Sequence, residues 1–285
     1  MLRTSQIPET LSEIFVMVYI MKLNTQTYQE LAEKYLKYQF TLYPMKFDVE
    51  QELQIAIMQS HQSNTDTMFS LRQIVALKNV NDIYCLSRSM FESAVNMGML
   101  VTGKITDGAQ RFLDFKYLEA YKILHHLRQV EPDFVNKVYK PDEVKIITEG
   151  RNSFVSKYGN ISNWCDFNLV ERTKLIDKTF PPTCSNNKFF EYLYCQVYRK
   201  GSGSAHRTST GLERSTIWTK TMVANLNLIK PTPNMNHLVF ASIHSLIVYL
   251  ASIRFIGQIL TGKKEETESF YHEETARIIA GKEKE

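Results

Sequence analysis

Apolar residues recur at the helical interval in nearly every segment of this chain long enough to show a period. Residues 10–43 read as one or two helices, interrupted near Asn24 and closed before Pro44, and residues 48–62 carry Val49, Leu53, Ile57 and Met58 on one face. The longest pattern follows them. Asn64 or Thr65 is placed to cap a helix running to Gly103, with Met68, Leu71, Ile74, Val75, Tyr84, Met90, Phe91, Val95 and Leu100 inside it. Asp107 opens another helix that ends near Glu131–Pro132, and residues 133–158 predict a more polar helix broken at Pro141. A short helix is expected around 167–178. Another over 187–199 stops at Gly201-Ser202-Gly203, which reads as a glycine C-cap. Residues 216–230 are β-branched enough for a strand or hairpin.

The stretch from Leu238 to Leu260 is the most apolar in the chain. A membrane span wants about 20 apolar residues, but His244, Arg254 and Gln258 fall inside this one, which favours a buried bundle helix and no membrane. This helix and the one over 66–102 have the widest apolar rows, so they are expected to pack side by side as the core. The tail from Gly262 is charged and predicts a solvated helix.

Composition sharpens the fold class. Average usage would place roughly 20 glycines in a chain this long, and there are 11, with 8 prolines. Sheet-rich folds draw on both residues for turns, so the shortage excludes all-β architectures and disfavours a nucleotide-binding βαβ fold. The expectation is an all-α antiparallel helical bundle. It divides into an N-terminal helical extension over 1–63, a bundle domain over 64–261 and a charged helical tail over 262–285. Cys85, Cys165, Cys184 and Cys195 lie far apart with no Cys-x-x-Cys pair, which argues against a zinc finger or a disulfide framework. Acids flank the apolar run near the N-terminus and no small-residue cleavage site follows it, so a cytoplasmic location is expected.

The formal charge of +4 is unevenly distributed. Over residues 188–230, the seven bases Lys188, Arg199, Lys200, Arg207, Arg214, Lys220 and Lys230 face only Glu191 and Glu213, while the rest of the chain nearly balances. A local basic excess suits an anionic partner, commonly phosphate, although a merely solvated basic loop has the same composition. Within that stretch lies Tyr198-Arg199-Lys200-Gly201-Ser202-Gly203-Ser204-Ala205-His206. An Arg guanidinium grips two oxygens at once, an imidazole moves a proton near neutrality, and exposed amides of a Gly-Ser-Gly turn can line an anion. Lys200 and Arg207 add candidate phosphate-binding cations; Tyr198 and Ser202 are candidate supporting groups. The bland alternative is a capping turn with a chance His beyond it.

Arg-x6-His in an all-helical chain resembles the HEPN superfamily, whose pattern is an Arg, four to six residues, then a His. Together with Arg88-Ser89-Met90-Phe91-Glu92 on a long helix, it is also similar to a bacterial family of uncharacterised helical proteins, over roughly residues 65–260. The superfamily resemblance implies a helical bundle, frequent homodimers and metal-independent RNA cleavage in toxin or antiviral defence systems. It gives Arg199 and His206 the scissile phosphate, often with two protomers building one site. Active members often carry Asn, Asp or His just after the Arg, where this chain has Lys200, and some relatives only bind nucleotides or RNA. Two functions are therefore carried forward. One is a ribonuclease; the other is a non-catalytic helical module that binds a nucleotide, RNA or a regulatory partner protein.

Arg88 and Glu92 are four apart in an apolar row. An intrahelical ion pair in this order is the weaker one, so a buried network joining them to the 199–206 segment is expected, with Glu92 able to orient His206 or Arg199. His125-His126 lies on an amphipathic helix where one of the pair must face solvent, and His244 reads as a satisfied core histidine. Neither a Walker loop, nor Gly-x-Ser-x-Gly, nor His-Glu-x-x-His occurs. No cofactor and no metal ligand set are expected.

Overall fold

The computed structural model describes residues 25–42, 46–181, 188–206, 216–217 and 232–280. The first helices are α1 (Thr25–Leu42), α2 (Gln51–Ala76), α3 (Val80–Thr102) and α4 (Gly108–Val130). Next come the short α5 (Pro132–Val138), then α6 (Pro141–Tyr158) and α7 (Leu169–Thr179). One uninterrupted helical rod follows, made of α8 (Phe189–Leu193), a π-helical segment (Tyr194–Arg199) and α9 (Lys200–Ala205). Finally, β1 (Thr216–Ile217) and β2 (Thr232–Pro233) precede α10 (Met235–Gly257) and α11 (Lys264–Ala280). The fold is all-α, and the two strands form a minimal antiparallel pair with Ile217 opposite Thr232. Of the residues expected in a strand or hairpin, 218–230 lie outside the described residues.

The core is built on α3 and α10, which pack side by side, as their apolar rows require. From Leu238 to Gly257 every residue of α10 except Phe240 is buried. α10 is long and apolar enough to cross a membrane, and here the rest of the chain covers its surface. Arg254, 1% exposed, is the one cation inside it. Its Nε donates to Glu268 of α11 at 2.8 Å, and its guanidinium lies 4.7 Å from the Tyr271 ring centroid. That pairing is what lets so apolar a helix hold a charge.

α2 packs along both central helices, and α1 contributes Tyr28, Ala32 and Tyr35 to the same core. α2 is continuous from 51 to 76, so the expected boundary at residue 64 falls in the middle of a helix. Asn64 and Thr65 are buried rather than capping. The Thr65 hydroxyl lies 3.0 Å from Gln39 Oε1 and 3.2 Å from the Tyr249 hydroxyl, and Asn64 donates to Met97 Sδ. The helix expected to run on to Gly103 breaks instead at Leu77-Lys78-Asn79. Lys78 takes φ 57°, and the Asn79 side chain accepts from the Asp82 amide to start α3. Three residues between two helices that pack along their lengths make an antiparallel hairpin. The tail also differs from expectation: α11 lies along α10 and buries Thr267, Tyr271, Glu274 and Ile278.

The largest departure concerns Gly201-Ser202-Gly203. This run does not end a helix; it lies inside α9, which continues to Ala205. A Cβ built at Gly201 would meet the Tyr84 carbonyl oxygen at 2.5 Å and Arg88 Cβ at 2.6 Å. Gly201 is there so that the rod can press against α3, and Ser204 is buried on the same side. Because α3 backbone stands in the way, Gly201→Ala is expected to cost about 2–3 kcal/mol. That corresponds to about 5–10 °C in melting temperature for a chain of this size, read by calorimetry. An unchanged melting temperature would contradict the close approach.

Candidate functional site

The helical rod owes its placement to its inner side. Asp177 at the end of α7 accepts from the amides of Phe190 and Glu191 at 2.8 and 3.1 Å, fixing the rod's N-terminus. Burial pushes the Asp177 carboxyl up to about 6 against the pull of those amides. Phe190, Leu193 and Val197 enter the core, and the Tyr192 hydroxyl reaches His244 of α10 at 3.2 Å. His244 donates from Nδ1 to the Phe240 carbonyl at 2.7 Å, and burial lowers its pKa to about 4. It is a satisfied core histidine.

The rod's outer side is different. Tyr194, Tyr198, Arg199, Ser202, Gly203 and His206 line one open depression of about 320 Å³. Their spacing is that of a single helical face, and Arg199 and His206, seven residues apart, stand about two turns or 10 Å from each other along it. The seven-residue step expected to span a flexible turn is thus a rigid helical spacing. Both side chains are exposed. Among the described residues neither makes a hydrogen bond or ion pair, whereas the nearby Arg88, Glu92 and Tyr198 are bonded to one another. His206 closes the rod, its amide bonded to the Ser202 carbonyl at 3.0 Å. The π-helical segment sets the phase. An extra residue in a turn rotates all that follows by about 100° relative to an uninterrupted α-helix, so it decides which side chains join Tyr194 over the depression.

Other expected groups lie around the depression. The Arg88 guanidinium lies 4.8 Å from the Tyr198 ring centroid and 3.4 Å from both the Tyr198 hydroxyl and Glu92 Oε1. The expected network therefore reaches the 199–206 segment through Tyr198. It is half-buried, with the Glu92 side chain 42% exposed. Glu92 contacts neither Arg199 nor His206 among the described residues; its carboxylate is engaged by Arg88 one turn earlier on α3. Burial alone disfavours the Arg88 charge; Tyr198 and Glu92 more than offset this and raise its pKa. Lys200 does not line the depression, since its ammonium sits 3.8 Å from the Phe240 ring centroid. The Gly-Ser-Gly amides belong to a helix and are committed to its ladder, so they cannot cradle an anion as a turn would. Arg207 lies outside the described residues.

A polar cluster unnoticed in the sequence continues the row of Arg88 and Glu92 by one more turn. Asn96 Oδ1 accepts from Arg172 at 2.5 Å and from the Trp164 indole at 3.0 Å. Burial lowers the Arg172 pKa, and nearby Cys165, Glu92 and Tyr198 oppose that shift. The signal available was the four-residue spacing of Arg88, Glu92 and Asn96; the partners come from α7 and the connection before it. Tyr194 was also missed, because a tyrosine at helical spacing reads as core. Among the described residues no group of three His, Cys, Asp or Glu side chains is placed to hold a metal ion.

Residues 54–221 match the model of a family of unknown function, DUF5677, and the chain belongs to that family. The match includes the depression and excludes α10 and α11. No curated protein and no solved structure matches the chain.

Proposed function

We propose that the depression is a HEPN-like, metal-independent ribonuclease site, serving bacterial antiviral defence or a toxin system. The observation that carries this reading is the pairing of an exposed guanidinium and an exposed imidazole, both unpartnered among the described residues, on one rigid helical face. His206 takes the proton from a ribose 2′-hydroxyl, or delivers one to the departing oxygen. The 2′-oxygen then attacks phosphorus and the bond to the 5′-oxygen breaks. Arg199 stabilises the negative charge that develops on the phosphoryl oxygens, and a preorganised cation does this with little rearrangement. The products are a 2′,3′-cyclic phosphate and a 5′-hydroxyl.

One imidazole cannot hold both proton roles at the same instant. A homodimer with the 199–206 segments near its two-fold axis would supply the second without new residues. Light scattering is expected to give a dimer at micromolar concentration, and a monomer that keeps full activity would contradict this arrangement. The ribonuclease reading is tested by incubating diverse RNAs with the purified protein in EDTA and analysing the new ends. Cyclic phosphate ends are expected. Intact RNA beside measurable RNA binding would leave the site as a non-catalytic module, a reading favoured by the Lys200 ammonium turning away from the depression to Phe240.

A further inference from the structure

We infer that Tyr194 and Tyr198 form a stacking shelf for an unpaired nucleobase, so that the Arg199–His206 site takes single-stranded rather than duplex nucleic acid. This rests on the ribonucleic acid reading above and adds to it the form of the substrate. The two rings are nearly parallel, at 16°, with centroids 5.2 Å apart, and both line the depression that holds Arg199 and His206. A stacked pair of tyrosines is ordinarily spent inside a core. These two touch the core only partly and present the rest to the open depression.

The shelf is also held in place. Tyr198 lies against the Arg88 guanidinium, which Glu92 and the close contact at Gly201 keep at the rod's side. Rings fixed in advance lose little conformational freedom when a flat ligand settles on them. Tyr198 and Arg199 line the same depression, so it offers an aromatic ring and a phosphate-gripping cation together. That is the combination a single strand offers, with an exposed base next to a phosphate. In a duplex the bases are stacked on each other and cannot reach a side chain without being extruded, at a cost of a few kcal/mol.

The test is fluorescence anisotropy with a short labelled single strand whose 2′-hydroxyls are replaced by hydrogen, which blocks cleavage. Beside it run the same strand with abasic positions and its duplex. Wild type is expected to prefer the intact single strand over both. Tyr194→Ala should weaken that binding by about 5- to 100-fold, the range for losing one base–aromatic stack. Tyr194→Phe, which keeps the ring, should stay within about 2-fold by the same logic. The abasic strand should bind wild type and Tyr194→Ala alike, since each has lost one half of the same contact. Melting curves exclude a folding defect, and Tyr194→Leu, which removes the ring but keeps an apolar side chain, serves if Tyr194→Ala does not fold. Equal binding of single strand and duplex, or a single-strand affinity that falls in Arg199→Ala but not in Tyr194→Ala, overturns the shelf while leaving the phosphate site standing. No binding of any nucleic acid overturns both.

Discussion

Acidification from pH 7 to pH 4 is expected to unfold the protein cooperatively, and two buried histidines supply most of the effect. His61 sits between α1 and α10, with Nδ1 2.8 Å from Ser252 Oγ and Nε2 2.9 Å from Gln39 Oε1. Burial lowers the pKa of His61 and of His244 to about 4 each. Both are neutral in the fold and take a proton near pH 6.5 once the chain unfolds. Between those values the unfolded chain binds protons that the folded one refuses. Stability is therefore whole above about pH 6.5 and is lost as pH falls towards 4. Each histidine accounts for about 3 kcal/mol, so the pair rivals the total stability of many proteins. Asp177 works the other way. Its carboxyl binds a proton in the fold at about 6 and only near 3.8 when unfolded, so it gains stability as pH falls. The two histidines together outweigh it. Denaturant melts at stepped pH would show the decline, and His61→Gln should make it shallower. Stability that stays flat from pH 7 to 4.5 would contradict the buried network.

The second large effect lies in the depression. His206→Ala is expected to slow RNA cleavage by about 10²–10⁴-fold, the usual worth of a positioned acid or base. It should leave RNA affinity within a few-fold, since a neutral imidazole adds little to phosphate binding. Arg199→Ala should lower both rate and affinity, because it removes charge from the bound phosphate and from the transition state alike. Both side chains are exposed and, among the described residues, unpartnered, so neither substitution should shift the melting temperature by more than about 1–2 °C. A pair that served only the fold would give the reverse, with large losses of stability.

What could be read in advance depended on whether the cause was local. The opening of α4 at Asp107 and the break before Pro141 both follow from short-range signals, and the structure has both; the interruption expected near Asn24 lies outside the described residues. The turn at Lys78 stayed hidden because apolar rows continue at helical spacing on both sides of it, although Asn79 and Asp82 made a legible cap. Gly201 misled for a deeper reason. A glycine that ends a helix and a glycine that admits a neighbouring helix look the same in one dimension, and only the position of Tyr84 and Arg88 separates them. Arg199 and His206 were visible as residue types in a basic stretch, whereas their shared helical face was not. Asn96, Arg172 and Trp164 meet from segments far apart in the chain, beyond the reach of any local pattern.

The most direct test of the site is a single-turnover cleavage assay on one labelled RNA in EDTA, with wild type and His206→Ala purified in parallel and melted side by side. We expect cleavage by wild type, a loss of about 10²-fold or more in His206→Ala, and matching melting curves. Equal cleavage by the two proteins, or none by wild type with a destabilised His206→Ala, would contradict a catalytic role for the Arg199–His206 face.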